Sequence, residues 1–354
     1  MSYRLKAIAA AALSLAALVP ASFASAADLP YKVKALKPVA EVPFFFVIDD
    51  RVTFSWIPRA TDPGVASLNR NGTVNPITAK QVYSFTHFDA WAYGTNFFTI
   101  SMFKSDHNDP TGCGGPAGTC AGATEIYGLI RSTFGLNEIF NTHAFTMGVL
   151  HNVSFEIGAD ANTENNPLGP AKRDFVAGAQ FAFDLPYKGY IDVAPLMYYE
   201  FSNHNNFIGC GNVAGGVPGV SCTVDGNTSY KPTWAVEIGY YMDLGFLPES
   251  VQYFSISGRA GFYGAKGNQN EPLGLAGGGT PTKVEINSEP IRLTFDASKA
   301  FMGAKYSHFV DTWVAYRYWQ NKFGIDHANS PTCIGANAGS CTEESVYAGV
   351  TVKF

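Results

Sequence analysis

Hydrophobic and polar positions alternate along this chain in short bursts, and the final burst is the cleanest. In Glu343 to Phe354, Val346, Ala348, Val350, Val352 and Phe354 fall on one side of an extended chain. Tyr347, Gly349, Thr351 and Lys353 fall on the other. Side chains on a strand change face at every residue, so this period of two predicts a strand with one apolar and one mixed face. The same pattern predicts strands near 44–57, 80–92, 96–104, 124–135, 150–161 and 172–183. The second half adds 190–202, 231–244, 251–264, 282–296, 308–322 and 344–354, which makes twelve. Each can cross a bilayer at a tilt, which takes about ten residues. No stretch after residue 26 shows a convincing helical period, and none approaches the ~18 consecutive apolar residues of a membrane helix.

The connections alternate in length. Ala92-Tyr93-Gly94-Thr95, Asp184 to Gly189, Leu244 to Ser250 and Ala297 to Ser307 are short or moderate. The stretches 58–79, 105–123, 162–171, 203–230, 265–281 and 323–343 are long and polar. With an even strand count, this predicts an all-β fold: a twelve-stranded antiparallel transmembrane β-barrel with short periplasmic turns and long extracellular loops. A strand that stops on an aromatic carboxyl terminus, here Phe354, resembles the closing strand of bacterial outer-membrane barrels. That resemblance implies handling by the outer-membrane insertion machinery.

Residues 1–26 read as a cleaved secretory signal: Arg4 and Lys6, an apolar run from Ala7 to Val19, then Ala24-Ser25-Ala26. Cleavage before Ala27 takes the formal net charge from −5 to about −7. Residues 27–42 read as a periplasmic lead-in rich in proline and lysine, and 43–354 as the barrel, placed in the lipid bilayer of the cell outer membrane. Composition agrees. Aromatic residues make up 14% of the chain and charged residues only 15%, against a usual quarter or about 25%. An apolar outer wall with aromatic girdles calls for that balance. The mild acidity and the lack of any lysine- or arginine-rich run argue against a nucleic-acid partner.

Six cysteines fall as Cys113/Cys120, Cys210/Cys222 and Cys333/Cys341, each pair inside one long loop. Local pairing keeps the three loops independent, so three within-loop disulfides are expected, formed in the oxidising periplasm. No Cys-x-x-Cys spacing occurs, so neither a metal nor a cofactor is expected. Asp160, Asn162 and Glu164 have part of a calcium-loop spacing but lack its glycine and its distant glutamate.

A barrel also sorts side chains into lipid-facing and lumen-facing sets. Arg51, Glu156, Asp160, Glu237, Arg259 and Arg317 alternate with apolar neighbours and are expected inside, with Trp313 and Trp319. On the strand near 80–92, Tyr83, Phe85, His87, Asp89 and Trp91 share one face. That face carries the charges and is assigned to the lumen, leaving Val82, Ser84, Thr86, Phe88 and Ala90 for lipid. Mixed charges with aromatic rings suit a selective channel for a small planar solute, with aromatic stacking surfaces beside polar partners. Twelve strands leave a narrower passage than the roughly sixteen to eighteen of diffusion porins.

Three stretches carry a family resemblance. Phe85 to Phe98 is a strand, tight turn and strand, followed by Lys104-Ser-Asp-His-Asn-Asp-Pro110. Trp313-Val-Ala-Tyr-Arg-Tyr-Trp-Gln-Asn-Lys-Phe323 is its late counterpart. Together they resemble the Tsx-like nucleoside-specific outer-membrane channels, which are twelve-stranded, and the resemblance implies passive nucleoside uptake. The lead-in Ala27-Asp-Leu-Pro-Tyr-Lys is similar to that of outer-membrane proteins from rhizobia-like bacteria. Other readings are a narrow general porin, or a structural, adhesion or receptor barrel. An outer-membrane phospholipase would need a His-x-Ser, but Phe145 stands two residues after His143 and Val153 two after His151, so no enzyme is expected.

Overall fold

The computed structural model describes residues 44–106, 122–165, 171–204, 227–228, 230–267 and 281–354. Twelve long strands among them build one wall. They are β1 Phe45–Ala60, β2 Thr78–Trp91, β3 Gly94–Ser105, β4 Thr124–Gly135, β5 Leu150–Glu164 and β6 Ala171–Leu185. The rest are β7 Gly189–His204, β8 Thr233–Asp243, β9 Phe254–Tyr263, β10 Glu285–Asp296, β11 Val310–Gln320 and β12 Thr342–Lys353. Each pairs antiparallel with its sequence neighbours, and β1 pairs with β12 from Arg51↔Lys353 to Trp56↔Ala348. The wall is therefore closed. Closure leaves no strand edge without a partner, the condition for placing a sheet in hydrocarbon. No helix among the described residues is long and apolar enough to cross a membrane.

The wall is turned inside out relative to a water-soluble barrel. Val52, Phe54, Trp56, Trp234, Ile291, Val346 and Val350 are exposed on the outside. Ser55, Glu156, Asp160, Glu289, Asp311, Glu343 and Ser345 are buried on the inside. An apolar belt around a polar interior is the arrangement of an outer-membrane barrel, and the protein is one. One inner contact depends on glycine. The Trp313 indole lies across Gly349 on β12, where an added Cβ would sit 2.3 Å from the ring. From there its Nε1 donates to Thr351 Oγ1 at 3.1 Å.

Short turns close one end. Ala92 and Tyr93 alone join β2 to β3, α1 (Leu136–Phe140) follows β4, and α2 (Ala297–Met302) follows β10. Asp296 caps α2, accepting from Lys299 N–H at 2.8 Å, Ser298 Oγ at 3.0 Å, Ser307 Oγ at 2.7 Å and His308 N–H at 2.9 Å. His308 and Asp311 approach the same carboxylate, and ligand atoms of the three residues lie within 4.8 Å of one another. Because Asp296 is committed to the cap, this cluster reads as a turn lock.

His308 supplies a pH test of that lock. Its Nδ1 lies 3.1 Å from both Asp311 carboxylate oxygens and 3.9 Å from Asp296. The hydrogen bond to Asp311 raises the imidazole pKa above its ordinary value, against the effect of burial. A raised folded-state pKa contributes stability in full below about pH 6.5 and loses it as pH rises through the folded value. The urea midpoint of the wild type should therefore exceed that of His308→Gln at pH 5.5, and the gap should close toward pH 9. A gap independent of pH would refute the ionic lock.

At the opposite end, the segment after β11 turns inward. Asn321, Lys322, Phe323, Ile325 and Asp326 are all buried. Phe323, Ile325, Cys333 and Cys341 form a small apolar cluster with Trp319 against it. Cys333 and Cys341 are disulfide-bonded, as expected from their spacing. Cys113, Cys120, Cys210 and Cys222 lie outside the described residues, as do residues 1–26, expected to be a signal, and the expected lead-in 27–42.

Candidate solute pathway in the barrel interior

A cavity of about 450 Å³ occupies the interior beside β1–β4 and β9–β12. One side of it is a wall of hydroxyls: Thr53, Ser55, Ser84, Thr86, Thr99 and Ser101. Their strands place them in direct register, so Ser84 and Ser101 lie 2.7 Å apart and Thr86 and Thr99 3.2 Å apart. Small hydroxyls can hydrogen-bond one another or a passing solute at little steric cost.

The facing side carries charge and rings. Arg292 grips Glu289 at 2.7 and 3.2 Å and lies 3.9 Å above the Trp313 ring. Tyr347 donates its hydroxyl to the same Glu289 and meets Trp313 edge-on at 5.2 Å. Arg317 and Lys322 converge on Glu343, at 2.9 and 2.5 Å. Lys322 also donates to the Thr61 carbonyl at 2.6 Å, which pins the inturned segment to the first long loop. Deeper toward the mouth, Lys80 pairs with Asp62 at 2.7 Å.

The other half of the barrel is filled. Arg131 on β4 reaches across to Glu237 on β8 with two bonds, at 2.9 and 2.7 Å. It also holds Asp160 at 2.5 Å and lies 3.8 Å from Glu156. Tyr127 and Tyr263 donate to Asp160 and Glu237, each at 2.9 Å. Lys172 pairs with Asp174 at 3.1 Å, and Lys266 pairs with Glu200. Buried carboxylates gathered like this require the guanidinium, since an isolated buried charge is far costlier than a paired one.

The positions singled out in the sequence divide into three groups. Arg51, Arg259 and Arg317 line the cavity. Glu156 and Glu237 sit in the Arg131 cage rather than on the cavity surface. Tyr83, Phe85, His87 and Asp89 are a correction: they point outward, and Val82, Ser84 and Thr86 take the lumen side. Tyr83 packs on outward Phe54, and Phe85 on Phe98 and Phe354. His87 bridges Asp50 at 2.6 Å and Asp89 at 3.1 Å, and Asn96 and Ser132 extend this polar row along the outer wall. The two faces of β2 were recognisable, but their direction was inferred from charge, and here the charged groups satisfy one another beside an aromatic girdle. Arg131 was missed, although it shares one alternating face with Tyr127 and Thr133 while Ile126 and Ile130 take the other. Lys80 and Lys322 stand at strand ends, where alternation is weakest.

No protein-family model matches the chain. No curated protein matches it either. Among solved structures it is similar to the translocator domain of the autotransporter NalP from Neisseria meningitidis, at 10% identity over 87% of each chain with a TM-score of 0.31. It is similar also to OccAB3 of Acinetobacter baumannii, at 9% identity over 87% of this chain and 99% of that one, TM-score 0.34. OpdK of Pseudomonas aeruginosa, solved with vanillate, matches at 6% identity over 87% and 98%, TM-score 0.34. The barrel assignment rests on this chain's own closed ladder and apolar belt.

Proposed function

We propose that this protein is a passive outer-membrane channel for small polar solutes, with nucleosides as the favoured class. The observation that carries the reading is the 450 Å³ interior cavity, with hydroxyls on one side and ion-paired charges and rings on the other. A nucleoside offers a flat base and a ribose rich in hydroxyls. Phe97, exposed where it lines the cavity, and the half-buried Trp319 supply aromatic surface, and the Ser84–Thr86 side supplies hydrogen-bond partners. Stacking of a base on an aromatic ring is worth about 1–3 kcal/mol, enough for selectivity and weak enough for release.

The test is reconstitution into planar bilayers. Single-channel conductance should appear, and millimolar nucleoside should reduce it reversibly, less so in Phe97→Leu. Conductance without any block by nucleosides leaves a narrow general porin. Absence of conductance supports the second reading, a structural or adhesion barrel, which the Arg131 strut across the interior favours.

A further inference from the structure

Among the cations of the described residues that line the cavity, one is left over. Arg259 projects from the middle of β9 into the cavity and is exposed there. Its ladder neighbour on β10 is Glu289, the carboxylate placed to neutralise it. That carboxylate is already taken. The register shifts where β10 passes Gly258, so Glu289 and Arg292 both face inward although three residues apart. Arg292 then occupies both carboxylate oxygens, and Tyr347 donates to one of them as well. Arg51, Lys80, Arg292, Arg317 and Lys322 each have a carboxylate within ion-pair distance. Arg259 has none among the described residues. The hydroxyl side of the cavity offers it no countercharge either, only neutral donors and acceptors.

A guanidinium in this position presents a fork of N–H donors that matches a carboxylate or phosphate with two parallel bonds. We propose that Arg259 is the anchoring point for solutes bearing a carboxylate or phosphate, so that the channel takes small organic anions in preference to their neutral analogues. This rests on the channel reading and extends its substrate class from nucleosides to their anionic relatives, the nucleotides, which Arg259 would favour over the neutral nucleoside. The solute exchanges water for a charge-assisted pair at Arg259, hydrogen-bonds the serines and threonines alongside, and leaves again because the site remains wet.

The experiment compares wild type, Arg259→Gln and Arg259→Lys in planar bilayers, with benzoate, adenosine monophosphate and adenosine as probes. Arg259→Gln should weaken block by the anionic probes roughly tenfold, the size expected for losing one charge-assisted contact. It should leave adenosine block unchanged and shift the reversal potential in a salt gradient toward cations. Arg259→Lys, a point charge without the fork, should keep the ion preference and lose part of the anion block. Block by the phosphate alone or by benzoate alone assigns the class. Block by neither, or equal block of wild type and Arg259→Gln, overturns the proposal while the channel stands. A wild type that conducts nothing overturns the channel reading and this anchor with it.

Discussion

Arg131→Met is expected to destabilise the barrel by about 3–5 kcal/mol, the cost of leaving buried carboxylates without their cation. Glu156 and Asp160 are 2% and 4% exposed, and Glu237 completes the set. Methionine matches the arginine stem in bulk, so the loss isolates charge from packing. The urea midpoint of detergent-folded protein is the readout. Adding Glu237→Met and Asp160→Asn to Arg131→Met should recover much of the loss, because fewer unpaired charges then remain buried. If Arg131→Met unfolds at the wild-type urea concentration, the cage does not hold the wall together. The same variant removes the strut between β4 and β8, so single-channel conductance should rise.

The second large effect is expected at the mouth. Lys322→Met removes the bond to the Thr61 carbonyl and one of the two cations on Glu343. Hydrogen bonds to a charged group contribute about 1.5–3 kcal/mol, so the inturned segment should leave its seat roughly ten to a hundred times more often. Single-channel records should show longer or more frequent high-conductance states. Reduction of Cys333–Cys341, which closes a loop of sequence separation 8, should act in the same direction. The chain-entropy argument gives that bridge about 2.5 kcal/mol, and the freed loop loses its anchor in the Phe323 and Ile325 cluster. Unchanged current in both cases would mean that the segment lies beside the pathway and does not obstruct it.

The wall itself was legible because its signal is local. A period of two needs only neighbouring residues, and it located all twelve strands. Where one face is plainly greasy, as in Val314, Tyr316 and Tyr318 against Asp311 and Arg317, alternation also gave the direction. On β2 both faces are mixed, and charge was a misleading guide. A better signal was present. The two-residue turn fixes the β2–β3 register, which pairs Phe85 with Ile100 and Tyr83 with Met102. Directly opposed residues share a face, so those pairs mark the lipid side.

What the sequence determined by itself is therefore the number of strands, the alternation of short turns and long loops, and the content of each face. The tertiary structure alone decided how the interior charges are partnered. Arg131 and Glu237 stand 106 residues apart and meet only when the barrel closes. Lys322 finds Thr61 across 261 residues because two loops fold over one mouth. Arg259 is left exposed in the cavity because a register shift beside it, between β9 and the adjoining β10, brings Arg292 onto Glu289. Strand formation depends on nearest neighbours along the chain, whereas a charge inside a closed barrel is paired or left free by the curvature and stagger of the whole wall.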